Sequence, residues 1–289
     1  MALTTAQAFA AFLEAISPTD SQKQDISDKR QATERNLRKA FPASSTLPLS
    51  RVILIGSAAR GTIIRPVQDI DVMAVFVNRE GIFEQYRSES DVFLQRIRMA
   101  LNAKTSIKKI GARGQAVRLF YTSGAHVDIA PVFKWRDGGF ALPKGDGNWM
   151  TTDPEYQAKW YSARHASVGT NLTPLVKLAR RWNVVHSRRF EPYHLEVMVA
   201  KMFKAVDSNH RDNLKCFFEA ASRRVTCADP AGHSGNLDGY LTEIDRLALE
   251  SRFSEALARA KLALLMEARG NHTEAKRLWR IELGEEFPA

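Results

Sequence analysis

Apolar residues recur at helical spacing near the start of the chain. Phe9, Phe12, Leu13 and Ile16 share one side and predict an amphipathic helix from Thr5 to Ile16. Asp20 to Phe41 reads as a longer, polar helix. Its apolar positions Ile26, Ala32, Leu37 and Phe41 are sparse, so it is expected to lie across a surface until Pro42-Ala43-Ser44-Ser45 breaks it. The period then shortens. Arg51 to Ile55 and Ile70 to Val77 predict short apolar strands, and Gly81 to Leu101 predicts a helix. Ala116 to Tyr121 and His126 to Val132 are β-rich runs around Ser123-Gly124-Ala125, the pattern of an antiparallel hairpin.

The second half changes character. Asp153-Pro154 supplies a capping carboxylate and a first-turn proline, and Thr173-Pro174 repeats the device. Leu175, Leu178, Ala179, Trp182 and Val185 then line one helix face. Pro192 to Val206, Arg211 to Arg224, Asp238 to Ala268 and His272 to Leu283 also read as helices, with a turn-rich loop from Asp229 to Gly239. No internal repeat, low-complexity tract or flexible linker is visible. The expected organisation is α+β: a mixed α/β domain with N-terminal helices over 1–150 and a helical domain over 151–289, packed tightly and sharing a cleft.

At 289 residues with 44% apolar composition, the chain can bury two such cores. No apolar run reaches the length of a membrane span, and Met1-Ala2-Leu3-Thr4-Thr5 lacks the basic-then-apolar order of a secretory signal. The two cysteines, Cys216 and Cys227, make no disulfide framework, so a reducing cytoplasm and no membrane are the expectation. The net charge of +10 favours polyanionic partners without choosing among them. Lys104, Lys108, Lys109, Arg113 and Arg118 either track a phosphate backbone or form a solvated face. No stacking-aromatic signature of an RNA-recognition module accompanies them.

The candidate chemistry lies between Ile55 and Asp71. Gly56-Ser57 follows the first strand, and Asp69-Ile70-Asp71 opens the second. Strand side chains alternate, so Asp69 and Asp71 share a face while Ile70, Val72, Ala74 and Phe76 take the other. Two carboxylates this close repel unless a cation sits between them, and Mg²⁺ suits an oxygen site. Two ions, with Mn²⁺ as the substitute, can activate an attacking hydroxyl and steady a leaving pyrophosphate. Asp128, inside a later β-rich run, is the candidate third carboxylate or general base. Gly56 lets backbone approach a phosphate, Ser57 adds a hydroxyl, and Arg60 and Arg65 can add positive charge. Separately, a Gly-Ser turn and an exposed Asp-x-Asp strand are ordinary. Their joint order, followed by an acid on a later strand, points to nucleotidyl transfer.

That order resembles the DNA polymerase β-like nucleotidyltransferase superfamily, carried by Gly56, Ser57, Asp69, Asp71 and Asp128. Leu142 to Pro154, Leu175 to Asn183, Tyr193 to Val197, and Asp229-Pro230 with Asn236-Leu237 are similar to segments of bacterial CD-NTases. These are relatives of cyclic GMP–AMP synthase and oligoadenylate synthase. The resemblance implies a polymerase β-like palm with a mixed sheet and an oligoadenylate-synthase-like helical domain. It implies that Lys177 contacts the donor triphosphate and Tyr193 stacks on a base. Pro192 replaces the family's serine before that tyrosine, leaving Lys201 as a candidate phosphate contact. Trp149 reads as interdomain packing rather than a base contact. His210, Cys216, Cys227 and His233 are too scattered to read as a zinc site.

The implied activity is metal-dependent synthesis of cyclic di- or trinucleotides from ATP or other NTPs. In the family such products act in antiphage (CBASS) signalling through a separate effector, and the enzyme can answer to a protein or nucleic-acid activator. The alternatives are RNA 3′-end nucleotidyl transfer and a catalytically silent nucleotide or nucleic-acid sensor. Aminoglycoside nucleotidylation fits poorly, because a cationic drug wants an acidic acceptor pocket.

Overall fold

The computed structural model describes residues 3–102, 109–135 and 137–288. The element order opens with α1 (Thr5–Ile16), α2 (Asp20–Ala40), β1 (Leu49–Leu54), α3 (Gly56–Ala59) and β2 (Asp69–Phe76). A 3-10 helix (Arg79–Tyr86), α4 (Ser90–Asn102), β3 (Lys109–Arg113), β4 (Ala116–Phe120), β5 (His126–Lys134), β6 (Phe140–Pro143) and β7 (Trp149–Thr152) follow. The rest is helical: α5 (Pro154–Val168), α6 (Leu172–Val185), α7 (Pro192–Met202), α8 (His210–Ala221), α9 (Glu243–Ala268) and α10 (His272–Leu283). Two compact units result. One comprises residues 18–60 and 66–158, the other 1–17, 61–65 and 159–289. The sheet unit therefore ends at Ala158 rather than 150, and α1, expected with the first half, is counted with the helices.

The first unit is built on a seven-stranded mixed sheet in the order β1-β2-β5-β4-β3, with β6 on β5 and β7 on β6. β2 and β5 are parallel, and the other pairings are antiparallel. Ile70, Val72 and Ala74 are fully buried and Phe76 is nearly so, as strand alternation requires. Phe76 meets Phe41 and Phe93 edge-on at 5.2 and 5.6 Å. Burying each of Ile70, Val72 and Phe76 contributes roughly 1.5–3 kcal/mol. On the opposite face Met73, Val75, Val132 and Phe140 form a second apolar cluster, so that face is polar only at the start of β2.

Two segments of the sheet unit depart from expectation. The predicted Gly81 to Leu101 helix is split into the 3-10 helix and α4. Glu80 and Gly81 hold positive φ, and the Ser90 N–H donates to Gly147 O at 3.2 Å instead of extending a helix. The chain around the boundary expected at 150 forms the β6–β7 hairpin, closed by Lys144 N–H to Asn148 O at 2.9 Å. It seats Trp149 among Phe83, Phe93 and Phe133, with its Nε1–H on Tyr86 O. Trp149 thus packs inside the sheet unit. Lys104 and Lys108 lie outside the described residues.

In the helical unit, α1 is started by a Thr4–Gln7 capping box and buries Phe9 against Trp279 and Phe287. Trp182 of α6 stacks on Phe253 of α9 at 4.4 Å. Buried Glu282 of α10 accepts Trp182 Nε1–H at 2.9 Å and Arg259 Nη1–H at 2.6 Å, with His186 Nε2 at 3.3 Å. α9 starts at Glu243, not Asp238. The Asp238 carboxylate is buried and taken by Arg246 and Thr226, and Thr242 caps the helix instead.

Candidate active site

β1 ends beside the start of β2, where Ile55 N–H donates to Asp71 O at 2.9 Å. The chain then turns at Gly56, whose φ is +66°. A Cβ there would lie 3.0 Å from Asp71 Cγ and overlap a carboxylate oxygen. Both the dihedral and the contact demand glycine. Ser57, half-buried, follows in α3.

The parallel register pairs Asp69 with His126 and Asp71 with Asp128. Because side chains two apart share a face, Asp69, Asp71 and Asp128 stand on one side of neighbouring strands. Asp69 is exposed and Asp71 half-buried. The antiparallel β4–β5 register sets Arg118 opposite Asp128. Arg118 donates Nε–H to Asp128 Oδ1 at 2.7 Å and Nη2–H to Oδ2 at 2.6 Å, a two-point charge-assisted bond. This hydrogen bond, beside the charges of Asp128, Asp69 and Asp71, raises the Arg118 pKa. His126 Nε2 lies 3.7 Å from Asp128 Oδ2.

An all-oxygen donor set suits a hard divalent cation in chemistry. The three acids share a face, but Asp128 is turned onto Arg118. Among the described residues no group of three His, Cys, Asp or Glu is poised to hold a metal ion. Physically, three adjacent carboxylates need a positive partner, and Arg118 supplies one. Arg118, read from sequence as part of a phosphate-tracking or solvated cluster, belongs instead to this acidic face.

Arg60 belongs to the sheet unit, whereas Arg65, Lys177, Tyr193 and Lys201 lie in the helical unit. Lys177 of α6 donates its ammonium to Ser17 Oγ at 2.9 Å. Arg65 donates to Glu14 O. Tyr193 is the second residue of α7, with its hydroxyl 3.5 Å from Asp229 Oδ1. Asp229 is held by the N–H groups of Ala231, His233 and Ser234. Lys201 sits two turns further on, about 12 Å along the helix axis. It donates to Ala228 O at 2.7 Å and borders a cavity of about 550 Å³ with Trp160, Arg164, Ser167, Phe203 and Lys204.

The start of α7 is pinned by a chain of hydrogen bonds that sequence reading missed. His194 Nε2–H donates to Val225 O at 2.8 Å, so Nδ1 must accept from the Tyr240 hydroxyl at 3.0 Å. That hydroxyl in turn accepts Glu191 N–H at 2.9 Å. Burial lowers the His194 pKa and pushes Tyr240 up to about 12.

Comparison with known proteins gives the family and the fold. The profile of the Second Messenger Oligonucleotide or Dinucleotide Synthetase domain matches residues 3–164. A probable cyclic nucleotide synthase of Bacillus cereus (strain VD146) is 26% identical over 273 residues, covering 82% of each chain. The cyclic AMP-AMP-AMP synthase of Escherichia coli (strain MS 115-1) is 27% identical, covering 76% of this chain and 74% of its own. Among solved structures, E. coli CdnC with ATP superposes with a TM-score of 0.80 at 20% identity, over 99% of this chain and 98% of that one. Vibrio cholerae DncV with the linear intermediate pppA(3′,5′)pG gives 0.78 at 14% identity, over 100% and 97%. With a profile match over more than half its length and the polymerase β-like fold along the whole of it, the chain belongs to the Second Messenger Oligonucleotide or Dinucleotide Synthetase family, the CD-NTases, and is a nucleotidyltransferase enzyme.

Proposed function

We propose that this enzyme joins NTPs into a cyclic di- or trinucleotide second messenger, with Asp69, Asp71 and Asp128 as its acidic face. The observation that carries the reading is the register of β2 on β5, which sets Asp71 opposite Asp128 with Asp69 two residues back. Asp69 and Asp71, joined by Asp128, would hold two Mg²⁺ or Mn²⁺ ions. Bound there, such ions supply charge for an attacking hydroxyl and a leaving pyrophosphate. Gly56 admits backbone to the donor triphosphate, and Ser57 adds a hydroxyl donor. Lys177 offers a point charge suited to a phosphate. Tyr193 offers a ring on which a base stacks, and Lys201 a further cation.

The relatives extend the proposal. E. coli CdnC has been solved in a complex named CdnC:HORMA-deltaN, and two further relatives are named CBASS oligonucleotide cyclases. We therefore propose a cytoplasmic role in antiphage signalling, a protein or nucleic-acid activator, and a separate effector that reads the product. No helix among the described residues is long and apolar enough to cross a membrane.

The test is incubation with labelled ATP, GTP, CTP and UTP plus Mg²⁺, then phosphatase and mass spectrometry. A phosphatase-resistant oligonucleotide is expected. It should fall to background in D69N and D71N, whose melting temperatures stay at or above the parent's because like charges are relieved. Label joining added RNA instead would favour end addition. Nucleotide binding without turnover under any activating condition would favour a sensor.

A further inference from the structure

Asp128 already has a cationic partner, and the way it is held bears on how the site loads. Arg118 and Asp128 face each other across β4 and β5, so the guanidinium lies on the face that carries Asp69 and Asp71. The contact uses two nitrogens and both carboxylate oxygens, at 2.7 and 2.6 Å. The side chains are only 18% and 16% exposed, which sets the pair apart from flexible surface ion pairs. A guanidinium is planar and matches a carboxylate with two parallel donors, which an ammonium cannot do. One positive charge brings three adjacent carboxylates from −3 to −2 without any metal.

We infer that Arg118 is the resident counter-ion of the acidic face and the positioning residue for Asp128, and that a divalent cation must displace it to gain Asp128 as a ligand. The inference rests on the reading of Asp69, Asp71 and Asp128 as the metal-holding face. Loading is then stepwise. A cation first meets Asp69 and Asp71, and Asp128 joins only when the Arg118 fork lets go. Arg118 keeps the face folded and correctly aimed while empty, at the cost of weaker binding of the ion that needs Asp128.

The experiment uses the full-length protein without nucleotide. Arg118 Nε–H is followed by ¹⁵N NMR, assigned by its loss in R118K, while Mg²⁺ is titrated. Metal-free D128N provides the spectrum of the released guanidinium. The Arg118 signal is expected to move toward that position as Mg²⁺ saturates, with faster exchange against solvent. A signal that stays in place while backbone amides at Asp69 and Asp71 report bound Mg²⁺ overturns the inference.

Mn²⁺ affinity, read by electron paramagnetic resonance of the free ion, gives the second arm. R118M is expected to bind about tenfold more tightly and R118K about threefold, because lysine keeps the charge but loses the fork. If only R118M tightens and R118K matches the parent, the effect is the general field of one cation, and the positioning role is lost. Should R118M fail to fold, the R118K and NMR arms still decide. If the parent binds neither Mg²⁺ nor Mn²⁺ differently from D69N, the metal-face reading itself fails. Product formation by the parent with no displacement of Arg118 sinks the present inference alone.

Discussion

Replacing Gly56 with alanine tests the close packing of the Gly-Ser turn on Asp71. The backbone at Gly56 sits at φ +66°, which costs an L-residue about 1–2 kcal/mol. In a unit of this size that lowers the melting temperature by about 2–8 °C. The side chain adds a second effect. Its Cβ would lie 3.1 Å from Asp71 Cβ and 3.0 Å from Cγ, and would overlap an oxygen, so the carboxylate must swing away. Misplacing a catalytic group by about 1 Å costs about a hundredfold in rate. Gly61 is the natural control. Its φ is +71°, but nothing lies within 4 Å of the position a Cβ would take. G61A carries the backbone penalty without the collision. Both variants should melt at similarly reduced temperatures by differential scanning fluorimetry. G56A should lose about two orders of magnitude in labelled-NTP turnover, and G61A no more than about threefold. Equal turnover in the two variants, or a G56A enzyme keeping a third of parental activity, would refute the argument.

Other outcomes follow from the helical unit. On the proposal that a base stacks on Tyr193, truncation to alanine removes about 1–3 kcal/mol of stacking, so steady-state kinetics should show a donor KM raised roughly 5- to 150-fold, with Y193F near normal. Burial holds His194 below its ordinary value of 6.5, so it is neutral in the folded enzyme and charges more readily when unfolded. Its contribution is complete above pH 6.5 and is lost as pH falls through the lower folded value. Urea unfolding across this range should show that slope, flattened in H194Q. Glu282 receives Trp182 and Arg259 while almost fully buried, so E282A should cost about 3–5 kcal/mol by chemical denaturation.

Much of the molecule was legible in local pattern. α1 and α10 run over the residues their periodicity predicts, because amphipathic spacing and caps are local signals. The division of β2 into a buried even face and an acidic start was equally readable. Even the Arg118–Asp128 pair left a trace. A hairpin centred on Ser123 places residue 118 opposite residue 128, and that is the register found. The β6–β7 hairpin was hidden because its glycines resemble a boundary as much as a turn. Its strands are four residues each, too short to show alternation. The His194–Tyr240–Glu191 chain joins residues up to 49 apart and leaves no periodic mark.

Sequence by itself determined which residues share a face, since alternation along a strand and a tight hairpin are set by backbone geometry within a few residues. Only tertiary structure decided that Asp71 stands beside Asp128. The two belong to parallel strands, which no short turn can connect, so their register comes from packing of the intervening helix and strands rather than from local chain chemistry. The Arg118–Asp128 partnership is local, set by the β4–β5 hairpin register, and what the tertiary structure added was to bring Asp69 and Asp71 onto the same face beside it.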